Sequence, residues 1–414
     1  MGPKGGWLRH CLTLVATLAA VAEAQRPHGE HPGKAAFSAS GLARVDSAME
    51  AYVAGGKLAG IVVAVAKDGQ LAHWKAFGLR SVEAKDPMEP NDLFRIYSMT
   101  KPITSTAIMI LVDEGKVALE DPVAKYLPAF GDVKVWTRDG LVPPRRPMTV
   151  RDLLRHTSGL TYGFFGETPV DSLYRKLPPP TDLADLTSKL AQLPLVGHPG
   201  EVWNYSYSTD VLGRIVEVAS GWSLDRFFEE RIFVPLKMKD SFFSVPAEKR
   251  SRLTGHYARP APGRFALADS PDTGNYTRPP KVLSGGGGLV SSTSDYLRFA
   301  QMILDGGELD GARVLKPGTV TEMLRNQIAG EMVPAVGPQK LVGTGFGLGF
   351  NVIVNGRDPL RGSNGTASWA GIANTYFFID PVTKVIGLVM TQFSPFAAYP
   401  IENEFRQLVY RALR

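Results

Sequence analysis

Ser98 and Lys101 stand three residues apart in the stretch Phe94 to Thr106, "FRIYSMTKPITST". A serine hydroxyl is a weak nucleophile until a base takes its proton. A lysine one helical turn further on lies on the same face, near enough to act as that base. To accept a proton the lysine must be neutral, so burial and neighbouring positive charge have to lower its pKa. A helix N-terminus at Ser98 favours negative charge developing there. Pro102 fits the first turn, where its missing N–H costs least. Taken alone, the pair also fits an ordinary helix start, since serine is a common N-cap and lysine a common surface residue. It is, however, the only S-x-x-K in the chain.

Two later places carry further chemistry. In "PGEVWNYSYSTDVLGRIVEVASG" a Pro-Gly turn is followed by Tyr205, just ahead of a helical pattern. In Ser368-Trp369-Ala370-Gly371 a Trp-x-Gly precedes the strand pattern of a C-terminal hairpin. Either aromatic alone would read as core.

In this order and spacing the three places resemble the serine β-lactamase and penicillin-binding-protein superfamily, in particular its family VIII carboxylesterases, which look like class C β-lactamases. The resemblance runs over about residues 40–414 and includes "MTVRDLLRHTSGL" and "GGGGLVSSTSDYLRFAQMIL". It implies that Ser98 is the acylated nucleophile and that Lys101 shares its proton. It makes Tyr205, with Lys101, the general base that later protonates the leaving alcohol, held ready to ionise by the lysine's charge. The backbone N–H groups of Ser98 and Ile372 become the oxyanion hole. Tyr207, Trp369, Ala370 and Gly371 become the substrate-binding residues.

Two departures bear on the substrate. β-Lactamases carry Tyr-x-Asn and Lys-Thr-Gly, where this chain has Tyr207 and Trp369-Ala370. The amide contact for a lactam side chain and the partners for a substrate carboxylate are therefore missing. The expectation is an acyl-enzyme carboxylesterase for short to medium apolar esters, with lactam hydrolysis slow or absent. The alternatives are a β-lactamase or D-alanyl-D-alanine peptidase and, from another class, a non-catalytic binding relative.

Other candidates are weaker. His156 in "RHTSG" ends a short helix and reads as structural. No Gly-x-Ser-x-Gly elbow occurs. Gly285 to Gly288 lacks the Gly-Lys-Ser/Thr of a phosphate loop and reads as a tight turn. The seven histidines show no metal-binding spacing. No metal and no cofactor are expected.

The elements that must position these groups are legible in outline. Leu42, Val45, Met49 and Val53 form a helical stripe within Gly41 to Val53. Two strand-like runs meet at Asp68-Gly69, a strong hairpin signal. Ile103, Ala107, Ile110 and Leu111 lie on one face of a helix that stops at Gly115. Thr149 suits the N-cap of a helix from Val150 to Arg155, with Gly159 suited to its end. Another helix ends at Gly221. The stretch His256 to Lys281 reads as a long surface excursion, and Ser294 to Leu304 as helix. A second hairpin turns at Asp380-Pro381, and Glu402 to Leu413 closes as an amphipathic helix. The expected fold is α+β: an α/β sandwich whose antiparallel sheet is built from both termini, with an inserted, mostly helical domain. The boundaries expected are 40–120 and 283–414 for the two parts of the α/β domain and 121–282 for the helical one.

With 414 residues, 44% hydrophobic and 21% charged, the chain exceeds one ordinary core and suits a globular protein. A formal charge of +6 with scattered basic residues argues against a nucleic-acid partner. Lys4 and Arg9 precede an apolar run from Cys11 to Ala22, and Ala22-Glu23-Ala24 offers a small-x-small cleavage site. Residues 1–24 thus read as an export signal to a bacterial periplasm or medium, residues 25–39 as a flexible leader. Cys11 is the sole cysteine, so the processed chain would hold no disulfide and no cysteine nucleophile. No later run reaches the roughly 20 apolar residues a membrane span needs. The expected partner is a small-molecule ester, and the oligomeric state is not legible.

Overall fold

The computed structural model describes residues 36–414, apart from 262, 263, 331, 337, 338, 357 and 359. The expected export signal lies outside the described residues, as does most of the leader. The fold is built on helix α1 (Ala39–Ala54), strands β1 (Gly60–Lys67), β2 (Gln70–Ser81) and β3 (Asp86–Pro87), and helices α2 (Thr100–Asp113), α3 (Val150–Leu154) and α4 (Ser208–Ser220). It closes with strands β4 (Thr344–Phe346), β5 (Asn351–Ile353), β6 (Ala367–Ala370), β7 (Tyr376–Asp380) and β8 (Val385–Thr391), and helix α5 (Ile401–Ala412). These strands form one eight-stranded sheet in the order β4-β5-β6-β7-β8-β1-β2-β3, antiparallel throughout. The junction of the chain's two ends is β1 on β8, in register from Ile61 opposite Thr391 to Lys67 opposite Val385. The fold is the expected α+β one.

Period-2 alternation sorts the side chains of the central strands into two cores. Ile61, Val63 and Val65 of β1 pack with α1 and α5 on the outer face. Val62, Ala64 and Ala66 join the larger core shared with α2 and the helical part. Both faces are covered, so β1 and β8 read as unbroken apolar runs. Helix α2 is buried from Thr100 to Leu111 and packs against α4, which carries Asp210 in its first turn. Thr149 caps α3 in a full capping box with Asp152.

Two local expectations are corrected. Helix α3 keeps its expected extent, Val150–Leu154 with Arg155 as C-cap, but the residue at positive φ that ends it is His156 (58°), not Gly159. The stretch after His256 is a hairpin of strands His256–Ala261 and Arg264–Asp269, which joins Phe393–Ser394 in a separate three-stranded sheet. Its anchor is Arg95, fully buried, which donates to the Asp269 carboxylate at 2.8 Å and to the carbonyls of Thr254 and Ser270. A Pro/Gly/Arg-rich composition hides such a hairpin, and the strand it docks on, Phe393–Ser394, is more than a hundred residues away.

Candidate active site

Ser98 lies in a single 3-10 turn, Tyr97–Met99, that runs directly into α2. Tyr97 before it has φ 42°, a conformation that costs a non-glycine residue on the order of 1–3 kcal/mol. The surrounding structure holds it there. The Tyr97 hydroxyl is 3.0 Å from His256 Nδ1, and His256 Nε2 is 2.7 Å from Ser394 Oγ. The hairpin taken for a surface excursion therefore clamps the residue that aims the serine.

Lys101 projects from the first turn of α2 back toward Ser98. Its Nζ donates to Ser98 Oγ at 3.2 Å and to the Gly286 carbonyl at 2.7 Å. The side chain is 2% exposed. Burial brings its pKa down to about 7, with Asp210 acting in the opposite direction. Of the two causes expected from sequence, burial is the one that operates; no neighbouring positive charge contributes.

Tyr205 sits on the other side of Lys101, whose Nζ lies 4.5 Å from the centre of the ring. The phenol is raised above its ordinary pKa by burial, while hydrogen bonding with Ser98 and Trp369 pulls it partway back. In the resting site it is therefore a neutral phenol. The expected readiness to ionise under the lysine's charge is not what this geometry provides, and the basic group next to Ser98 is Lys101.

Trp369 and Ala370 belong to β6 itself, one strand before the hairpin of β7 and β8. The Trp369 indole donates its Nε1–H to the Tyr205 oxygen at 3.3 Å, and its ring packs 5.3 Å from Tyr205 and 5.4 Å from Phe346. Gly371 is required by close approach: a Cβ there would lie 2.3 Å from Thr375 Oγ1 and 2.4 Å from the Ile96 carbonyl. Only glycine lets the end of β6 come down onto the turn bearing Ser98. Ile372 follows at the rim, and its N–H makes no backbone hydrogen bond among the described residues.

All the sequence-predicted residues line one cleft of about 500 Å³ or stand immediately behind it, as Lys101 does. Tyr207 packs against Tyr162 with ring centres 4.6 Å apart and planes tilted by 60°, and Phe164 and Phe165 extend the aromatic wall to the rim. The loop of residues 159–180 thus supplies this side of the cleft. His156 stays outside the cleft, 1% exposed, with its ring 5.0 Å from Tyr205 and its Nδ1 3.4 Å from Ser206 Oγ. Burial, with Lys101 close by, holds it well below its ordinary pKa and neutral.

Asp210, Ser284 and the Gly286 carbonyl were not singled out from sequence. Asp210 accepts from Ser284 Oγ at 2.6 Å and from the Gly286 N–H at 3.1 Å. Its position in a first helical turn reads as an ordinary dipole-favoured acid, and only the fold shows what it touches. Among the described residues no group of His, Cys, Asp or Glu side chains is arranged to hold a metal ion, and no helix is long and apolar enough to cross a membrane.

A serine, a buried lysine and a tyrosine converging at the end of an antiparallel sheet, beside a mostly helical part, define a serine β-lactamase-like fold. The Beta-lactamase family model matches residues 45–411, and the chain belongs to that family. It is 37% identical over 356 residues to Protein Rv1367c of Mycobacterium tuberculosis strain ATCC 25618 / H37Rv, covering 82% of this chain and 87% of that one. It is 31% identical over 378 residues to Esterase EstB of Burkholderia gladioli, covering 86% and 91%. Among solved structures it resembles EstCE1, described as a hydrolase with promiscuous acyltransferase activity. That match has a TM-score of 0.75 and 25% identity, covering 90% of this chain and 98% of the other. The chain is a β-lactamase-fold protein with esterase relatives.

Proposed function

We propose that the protein is a serine carboxylesterase cleaving short to medium apolar esters through an acyl-enzyme on Ser98. The observation that carries this reading is Lys101 Nζ, buried and 3.2 Å from the Ser98 hydroxyl, with burial bringing its pKa down to about 7. Neutral Lys101 takes the Ser98 proton as Oγ attacks the ester carbonyl carbon. The N–H groups of Ser98 and Ile372 receive the charge that develops on the carbonyl oxygen. Tyr205 gives its proton to the departing alkoxide and regains one from the Lys101 ammonium, so the net transfer is one proton from the serine to the alcohol. Water then repeats the sequence on the acyl-enzyme, with the same groups taking and returning its proton.

The aromatic wall supports apolar esters over lactams. Trp369 stands where a β-lactamase has a lysine, and Tyr207 where it has an asparagine, so a carboxylate and an amide would meet rings. The EstB and EstCE1 names support the esterase assignment. Transfer of the acyl group to an alcohol in place of water is a second reading, favoured by the apolar cleft and by EstCE1's described side activity. Export belongs to the same proposal and rests on residues 1–24. N-terminal sequencing of protein recovered from a bacterial periplasm or medium is expected to start at Gln25, and an intact Met1 would contradict it.

The substrate class is tested by kcat/KM for p-nitrophenyl butyrate and for a chromogenic cephalosporin. The ester is expected to be the better substrate, and preference for the cephalosporin would overturn the esterase reading. Trp369→Ala removes a buried wall and the indole N–H on Tyr205, so kcat/KM for butyrate is expected to fall roughly tenfold or more. Trp369→Phe keeps most of the wall and loses only the N–H, so it separates the two contributions. An alanine variant at parental efficiency would remove Trp369 from the site.

A further inference from the structure

We propose that Asp210 is a positioning residue for the lysine base: through the turn Ser284–Gly288 it holds Lys101 against Ser98 and sets the basicity of its amine. The inference rests on the Ser98/Lys101 reading above and extends it to a cleft residue whose carboxylate is hydrogen-bonded to the turn rather than to Ser98 or Lys101.

The connection runs through three successive hydrogen bonds. Asp210 Oδ1 accepts from Ser284 Oγ at 2.6 Å and from the Gly286 N–H at 3.1 Å. The carbonyl of the same Gly286 accepts from Lys101 Nζ at 2.7 Å, and that Nζ donates onward to Ser98 Oγ at 3.2 Å. The turn is pinned from a second side by Thr104 of α2, whose Oγ1 donates to the Gly285 carbonyl at 2.7 Å. The glycines are what allow the approach. A Cβ at Gly286 would lie 2.5 Å from Asp210 Oδ2, and one at Gly285 would lie 2.6 Å from the Thr209 carbonyl. The turn is therefore seated on the N-terminal end of α4, with the carboxylate as its fastening.

Asp210 is 2% exposed and has no arginine or lysine in hydrogen-bond contact among the described residues. A carboxylate so placed is costly without a compensating charge. The α4 N-terminus compensates in part; burial raises the pKa of Asp210, the Ser284 hydroxyl, Lys101 and the Gly286 N–H pull it back, and Asp210 in turn raises the pKa of Lys101 against that amine's own desolvation. The other titratable groups facing Lys101 are Tyr205, Tyr162 and His156, all neutral in this setting. Fully desolvated and without Asp210, the amine would lose its proton too readily to be an effective base. With it, the pKa stays close to neutrality.

The test is the pH profile of kcat/KM for p-nitrophenyl butyrate in Asp210→Asn. The amide keeps an oxygen for Ser284 and Gly286 but removes the charge. The acid limb is expected to move down by about one pH unit, toward the lower end of what a near opposite charge produces. The plateau is expected to fall roughly tenfold as the amine becomes a weaker base. A purely structural role would lower Tm and activity without moving the limb, and that result would overturn the inference. Should Asp210→Asn not fold, Ser284→Ala decides in its place. Losing that donor makes the carboxylate easier to neutralise, so the limb shifts in the same direction by a smaller amount, and an unmoved limb overturns the inference. Parental enzyme with no acid limb near pH 7 would instead count against Lys101 as the base, a separate failure.

Discussion

Replacing Ser98 by alanine is expected to cut ester turnover on the order of 10⁶-fold, the scale on which a serine protease loses activity without its nucleophile. The fold should survive. Ser98 is only half-buried, and its hydroxyl serves the local structure only through the Lys101 amine and the Tyr205 phenol. Alanine is at ease in the turn leading into α2, whose apolar face is untouched by the change. The check is kcat/KM on p-nitrophenyl butyrate beside a thermal melt. A variant that keeps measurable parental turnover would place the nucleophile elsewhere, and one that loses its cooperative melt would show a structural role for the hydroxyl.

The second large effect is at Lys101. Lys101→Arg keeps a cation but gives up any accessible neutral state, since guanidinium stays protonated in proteins. Turnover is expected to fall by about 10²–10⁴-fold, the contribution of a positioned general base. The parental enzyme should also show an acid limb in kcat/KM near pH 7. Below that pH Lys101 is an ammonium and cannot take the Ser98 proton, so the rate falls about tenfold per unit; above it the amine is free. The arginine variant should show no such limb, its residual rate no longer following that ionisation. Near-parental activity in the variant would reduce Lys101 to a buried structural cation.

How much of this was legible beforehand depends on how far apart the interacting residues stand in the chain. Ser98 and Lys101 are one turn apart, and their types alone state the chemistry. The hairpins at Asp68-Gly69 and Asp380-Pro381 are local, so composition and alternation reveal them. The sheet joining both termini followed from strand-rich ends around a helical middle. Contacts between distant segments were not visible. The Pro- and Gly-rich stretch after His256 forms a local hairpin that its composition masks, and nothing in it says that it docks on Phe393–Ser394 or that His256 holds Tyr97 at a left-handed φ. Nothing in "YSYSTDV" says that Asp210 meets the Gly286 N–H, because that contact spans 76 residues and requires both α4 and the turn to be in place. The electrostatic expectation failed in part for a related reason. Of the two causes expected for the lysine, burial operates and positive neighbours do not: the charge that acts on Lys101 is Asp210, in the opposite direction, and that contact exists only in the assembled core.

The most direct test of the central claim is covalent trapping. Intact-protein mass spectrometry after exposure to a fluorophosphonate, followed by peptide mapping, reads both the number of adducts and their position. One adduct per chain, on the peptide carrying Ser98 and absent from Ser98→Ala, is the predicted result. An adduct on any other serine, or undiminished labelling of the alanine variant, would contradict the account.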